Sequence, residues 1–238
     1  MNTAIKSLLM ALAAWSGHAA MAQDAGLSVS VGVRAWYTQW STFSYLVDAN
    51  GVDNLALTQV SAGDKLAVVP LLSVRYGNFV GSMSLLPTTR FSFVDGGSGT
   101  RREYDLNIGY TVLPGLNLTL GYKKLSQRGG EYRYEPGGLV LGLSGSASLA
   151  QGFALYGSLA FGKLKTPQSG GDFVVKFEAD YRLTEVGLAY ALAGAQASPR
   201  WTFSAGYRMQ VMGSREAFGL QDGRDTTQGF ALGAIATF

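Results

Sequence analysis

The chain contains no cysteine and only one histidine, His18. Without cysteine there is no disulfide framework and no thiol chemistry, and a lipid-anchored N-terminus is excluded. Charge is also scarce: Asp, Glu, Lys and Arg make up 15% of residues, against about 25% in ordinary soluble domains. No Lys/Arg-rich run and no nucleic-acid reader motif occurs, so nucleic acid is not an expected partner. Finally, nothing after the first two dozen residues approaches the roughly 18 uninterrupted apolar residues of a membrane helix.

What is present begins with a targeting pattern. Lys6, the apolar run 7–15 (SLLMALAAW) and Ala20-Met21-Ala22 form the charged, apolar and small-x-small parts of a secretory signal peptide. Residues 1–22 are therefore expected to be removed, leaving 23–238 as one domain of 216 residues (238 − 22). That domain loses Lys6 and His18, so 18 basic residues (19 − 1) face 16 acidic ones and no histidine remains. The pI near 9.1 reflects this small surplus. Glycine is abundant at 32 residues, aromatics reach 12%, and mean hydropathy is only +0.12.

The domain alternates with a period of two along most of its length, the repeat of β-strands with one apolar face. Ten strands are expected, at about 26–41, 65–76, 79–94, 103–112, 116–123, 134–149, 153–165, 173–192, 200–212 and a tenth ending the chain. Leu27, Val29, Val31, Val33, Ala35 and Tyr37 share one face of the first, opposite Arg34 and Trp36. In the third, Phe79, Met83, Leu85, Thr89, Phe91 and Phe93 are assigned outward, opposite Ser82, Ser84 and Arg90. Leu113-Pro114-Gly115 makes the clearest hairpin turn, because Pro fixes φ and Gly accepts φ > 0. Pro70 would cost a ladder hydrogen bond and is expected to mark a bulge. In the eighth strand the apolar phase changes after Leu183, which predicts a second bulge near Thr184-Glu185. Residues 42–64 and 213–226 are expected as external loops, the latter with Arg215, Glu216, Asp222, Arg224 and Asp225 in solvent.

The last strand has apolar residues at Phe230, Leu232, Ala234 and Ala236 and closes on Phe238. In this it resembles the terminal strand of bacterial outer-membrane β-barrels, where a C-terminal Phe belongs to the assembly signal. The resemblance covers the whole domain, without a particular family inside the class. It implies an all-β, antiparallel, up-and-down transmembrane barrel of about ten strands, with eight or twelve as alternatives. Localisation would be the bacterial outer membrane, with membrane lipid and the assembly machinery as partners and Phe230, Leu232 and Phe238 as the assembly signal. Trp36, Tyr37, Trp40, Tyr76, Phe79, Phe153 and Trp201 are assigned to interfacial aromatic girdles.

A barrel of this size is mostly filled by its own side chains, which argues against a wide diffusion pore. Outer-membrane barrel enzymes such as omptin proteases, barrel phospholipases and lipid A deacylases rely on a His near Ser or Asp, and this domain has none. No catalytic residue, metal ligand or cofactor is therefore assigned. Arg34, Arg75, Arg90, Glu103, Asp105, Lys123, Glu178, Asp180, Arg182 and Arg208 are assigned to the lumen face. There they would form either a paired structural network or a polar path for small polar or anionic solutes. The leading expectation is a non-enzymatic structural barrel or narrow channel. The alternatives are an adhesin-type barrel acting through its outer loops and, third, a carboxylate-dependent hydrolase. Two motif matches carry no weight. Gly157–Lys163 has P-loop glycines but Leu164 where Ser or Thr is required, and 48–54 lacks the bidentate Glu of a calcium loop.

Overall fold

Each alternating segment can satisfy its backbone only by pairing with a neighbour, and short turns make the next segment in the chain that neighbour. The computed structural model describes residues 26–47, 55–94, 96–130, 132–170, 173–192, 198–214 and 223–238. The predicted signal peptide with Lys6 and His18, the tip 48–54, and Arg215, Glu216 and Asp222 lie outside the described residues.

The strands are β1 (Leu27–Val47), β2 (Leu55–Tyr76), β3 (Phe79–Ser92), β4 (Ser98–Leu113), β5 (Leu116–Gly129), β6 (Tyr132–Tyr134), β7 (Gly137–Ser148), β8 (Phe153–Gly170), β9 (Phe173–Ala191), β10 (Arg200–Ser214) and β11 (Gly223–Thr237). Every pairing is antiparallel, and both β6 and β7 lie between β5 and β8. They form one wall interrupted at Glu135-Pro136, so the eleven segments build a ten-stranded sheet. β1 pairs with β11 from Ser30↔Thr237 to Phe43↔Arg224, which closes it into a barrel. Phe238 completes the joint through two backbone hydrogen bonds with Val29.

Chain ends and the tight turns at Gly77, Gly115 and Gly152 share one rim, here the terminal rim. Gly115 takes φ +77°, and a side chain there would strike the Ser146 carbonyl. Toward the opposite, far rim the walls are longer than the alternation predicts. β1 and β2 stay paired up to Val47↔Leu55, so the expected loop 42–64 is mostly a tall hairpin. β8 and β9 likewise pair to Gly170↔Phe173.

The outward face divides by height. Near the terminal rim it is an apolar belt that includes Leu66, Val68, Leu106, Ile108, Leu118, Leu120, Leu139, Leu141, Phe161 and Leu188, all exposed. Past the belt the outward positions turn polar, while the inward positions become apolar: Leu125, Val140, Leu164, Ala179, Tyr181 and Met212 pack there as a buried cluster. This inversion corrects the bulge expected near Thr184-Glu185. β9 pairs without a register shift to both β8 and β10, and its change of phase marks the exit from the belt instead.

True bulges lie elsewhere. Gly63 and Asp64 of β2 together oppose Gln39 of β1, and Pro87 and Thr88 of β3 together oppose Arg102 of β4. Because side chains alternate, one extra residue exchanges the faces beyond it. Thr89 and Phe91 therefore point inward and Arg90 outward, the reverse of the expected assignment. Pro70 marks no bulge, since its pairing with Val33 is in register. It stands instead where the β2–β3 ladder ends: that ladder runs from Tyr76↔Phe79 to Leu71↔Ser84, and only the bridge Ala62↔Phe93 follows it.

Candidate functional site

The interior holds three layers. Toward the terminal rim is a chamber of about 330 Å³, lined largely by small side chains including Ser30, Ser73, Ser82, Asn107, Thr119 and Ser158. Its other lining residues include Arg34, Asp105, Lys123, Glu185 and Arg208, which begin the second layer. The third layer, toward the far rim, is the apolar cluster above together with Trp40, Ala62 and Phe91.

The charged layer is two connected chains of contacts. In one, Asp225 accepts hydrogen bonds from Trp40 Nε1 at 2.6 Å and Gln127 Nε2 at 2.9 Å, and its other oxygen meets Arg101 Nη1 at 2.9 Å. Arg101 Nε then donates to Glu103 at 2.6 Å, Lys123 Nζ bridges Glu103 at 2.7 Å and Asp105 at 2.8 Å, and Ser84 donates to Asp105. Gln210, held by the Tyr181 hydroxyl at 2.8 Å, donates to Glu103 as well. In the second chain Glu185 binds Arg208 at 2.7 Å and Arg34 at 3.2 Å. Arg208 and Lys123 also sit over the Trp36 and Tyr181 rings, at 5.4 and 5.2 Å.

Four cations (Arg34, Arg101, Lys123, Arg208) thus face four carboxylates (Glu103, Asp105, Glu185, Asp225), and the interior layer is neutral. Buried ions need such matching, because an unpaired one carries its whole desolvation cost. Arg101 Nη2, Trp36 Nε1 and Thr227 Oγ1 are buried without a protein partner.

Six of the ten lumen assignments fall inside: Arg34, Arg75, Glu103, Asp105, Lys123 and Arg208. Arg75 is set apart near the terminal rim, 3.2 Å from Thr111. The other four are corrected. Arg90 points outward beyond the Pro87–Thr88 bulge and bonds Ser98, while Glu178, Asp180 and Arg182 lie on the outer face of β9 past the belt. The inward residues of β9 are instead Ala179, Tyr181, Leu183 and Glu185.

Arg101, Glu185, Asp225, Gln127, Gln210 and Tyr181 were not assigned to the lumen. Arg101 has the parity of Glu103 and Asp105, and extending that strand by two residues finds it. Asp225, expected in a solvated loop, is buried because β11 already begins at Gly223. Trp36 and Trp40 are not girdle residues, being 2% and 5% exposed inside the barrel. They share the parity of Arg34, while Tyr37 faces out.

Phe230, Leu232 and Phe238 are 67%, 61% and 58% exposed on the apolar belt. A closed sheet that turns a continuous apolar belt outward and ion pairs inward fits a bilayer, where a barrel leaves no unpaired edge strand. The chain is a closed β-barrel of the membrane-spanning kind. Among the described residues no helix is long and apolar enough to cross a membrane, and no three acidic, His or Cys side chains gather as a metal site.

No protein-family model matches the chain, and no curated protein does. Among solved structures it is similar to the toluene transporter TodX of P. putida (10% identity, 89% of each chain, TM-score 0.30). It is also similar to Ail, the attachment invasion locus protein of Yersinia pestis (18% identity, 89% of this chain and 97% of that one, TM-score 0.32). A third is the translocator domain of the autotransporter NalP from Neisseria meningitidis (13% identity, 98% and 95%, TM-score 0.43). Likenesses this distant carry neither activity nor partners across.

Proposed function

We propose that this barrel is non-enzymatic and structural, with an interior closed by its own side chains. One observation carries the reading: the neutral charged layer and the apolar layer together fill the lumen with fully buried side chains. Arg101 of β4, Lys123 and Leu125 of β5 and Leu164 of β8 are each at most 2% exposed. A path that attracts anions needs surplus positive charge along its length, and here every cation of the charged layer meets a carboxylate, with Arg75 alone set apart at the terminal rim. A hydrolase built on carboxylates needs one free to exchange protons, yet Glu103 and Glu185 are each held by two cations. Phe230, Leu232 and Phe238, all on the lipid face of the closing strand, suit recognition by assembly machinery before closure.

Conductance in a planar bilayer tests this reading. The refolded barrel is expected to be electrically silent at the resolution of single steps. Steady, ion-selective steps from the wild type, abolished by Arg34→Gln, would overturn it in favour of a narrow solute channel. A surface-interaction role has one observation of its own, the walls that rise past the belt. Deleting 48–54 and measuring binding to host-cell surfaces tests that second reading.

A further inference from the structure

The outer surface past the belt is not evenly charged. Along β4 the first outward residue after Tyr104 is Arg102, along β5 Lys124 follows Tyr122, and along β8 Lys163 follows Phe161. Arg128 lies further along β5, directly opposite Arg133 of β6, and Lys165 lies further along β8. All six are exposed. Across the barrel, the corresponding first positions are Gln39 on β1, Gln228 on β11 and Val211 on β10. Exposed cations also stand elsewhere, at Lys65, Arg90 and Arg224, and Lys176 and Arg182 share β9 with Glu178 and Asp180, so the densest excess of positive charge lies on the wall formed by β4 to β8.

Little on the protein neutralises them. Arg133 pairs with Glu135 at 2.6 Å, and Lys163 approaches Glu178 only to 3.9 Å with both ends exposed. Burial pushes the Glu135 carboxyl up, but Arg133 outweighs it, with Ser126 and Lys124 adding to the effect, and holds the group below its ordinary range. Glu178 of β9 stands across from Lys165 and Asp180 across from Lys163, while among the described residues no carboxylate lies within salt-bridge distance of Arg102, Lys124, Arg128 or Lys165. Arg102 rests on the Tyr104 ring at 4.9 Å. Arg128 opposite Arg133 is a like-charge cross-strand pair, which costs stability unless an anion bridges it.

At the centre of this wall is a notch. Gly137 of β7 pairs with Lys124 on one side and Lys165 on the other. The two lysines are thus two strand spacings apart, about 10 Å, with no side chain between them. A side chain at Gly137 would meet the Tyr122 hydroxyl and the Lys124 stem. The Tyr122 hydroxyl thus borders an open position flanked on either side by a lysine, just beyond the belt at the height of lipid headgroups.

We propose that this wall is the seat of a phosphorylated glycolipid of the outer leaflet. Its phosphates would lie in the Lys124–Gly137–Lys165 notch and against Arg102, Arg128 and Arg133. Its acyl chains would lie on Leu106, Leu120, Leu139 and Leu141 of the belt below. The inference rests on the barrel's seat in the outer membrane, and whether the interior conducts does not bear on it.

Native mass spectrometry of the folded, detergent-extracted barrel, titrated with a diphosphorylated hexa-acyl glycolipid, tests the proposal. Binding should weaken at least about tenfold in Lys124→Gln/Lys165→Gln, as loss of two charge-assisted contacts would give. Gly137→Leu, which fills the notch without changing charge, should weaken it too. Lys65→Gln/Arg90→Gln, removing the same charge elsewhere, should not. Heat-modifiable migration on gels checks that each variant is folded. The double lysine variant, altered only at the surface, keeps the test decisive if Gly137→Leu does not fold. Equal binding of the dephosphorylated lipid, displacement by millimolar inorganic phosphate, or an equal loss in the Lys65/Arg90 control would overturn the proposal.

Discussion

Glu103 is the residue on which the charged layer turns, since Arg101, Lys123 and Gln210 all converge on its two oxygens. Glu103→Gln keeps the shape and removes the charge, so that Arg101 and Lys123 each lose one of two carboxylate partners and the buried layer is one negative charge short. A loss of about 3–5 kcal/mol is expected, read from the urea midpoint of the barrel refolded in lipid vesicles. A loss below about 1 kcal/mol would mean that water, not protein, satisfies Arg101 and Lys123. Tyr156 illustrates a steric demand. Its hydroxyl contacts Glu185, and its ring lies over the cross-paired glycines Gly187 and Gly206. A Cβ at either position would come within 2.5–2.7 Å of the Tyr156 side chain. Gly206→Ala should therefore cost about 1–3 kcal/mol through overpacking, with partial recovery in Gly206→Ala/Tyr156→Phe. Glu103 was legible from parity alone, whereas a Tyr–Gly–Gly contact spans three strands whose register no local pattern specifies.

At the scale of elements, legibility depended on the belt. Inside it, outward apolar residues alternate with inward polar ones, and strands such as β4 and β5 could be placed with their faces correct. Beyond it the outward face is polar, so alternation either fades, as in β8 after Phe161, or inverts, as in β9. Alternation therefore ends short of the true strand ends and assigns Glu178, Asp180 and Arg182 to the lumen, whereas they lie on the outer face. The bulge at Pro87–Thr88 misled for another reason, since one inserted residue leaves the composition unchanged while exchanging the faces. The β2–β3 boundary is the least paired of the barrel, with prolines at Pro70 and Pro87 beside the missing rungs. Backbone amides at 65–69 that face β3 should exchange hydrogen well before those of the fully paired β9 and β10. Hydrogen–deuterium exchange of the barrel in micelles measures this, and equal protection in both regions would mean that the gap closes in the membrane.

For the whole molecule the decisive property is the reversal of polarity along one continuous sheet. A cation placed within the belt and one lost beyond it should differ sharply in effect. Ile108→Arg is expected to cost about 2–4 kcal/mol, the range for a cation on the lipid face near mid-bilayer. Lys165→Leu should change stability by no more than about 0.5 kcal/mol. Reversible unfolding in thin lipid vesicles compares them, and similar losses would misplace the belt. The barrel class was legible from alternation, scarce charge and the closing strand. Its interior was not, because ion pairs joining β4 to β11 or β1 to β9 link residues more than a hundred positions apart.

The interrupted β2–β3 ladder also bears on mechanics. A closed hoop under lateral tension shares the load among its seams, and the seam with the fewest rungs yields first. Here that seam is the six-pair run from Leu71 to Tyr76, beside neighbours that carry a dozen or more. Stretching the surrounding bilayer should therefore part this barrel along one predetermined line, and the hoop would fail as a zipper, not as a ring.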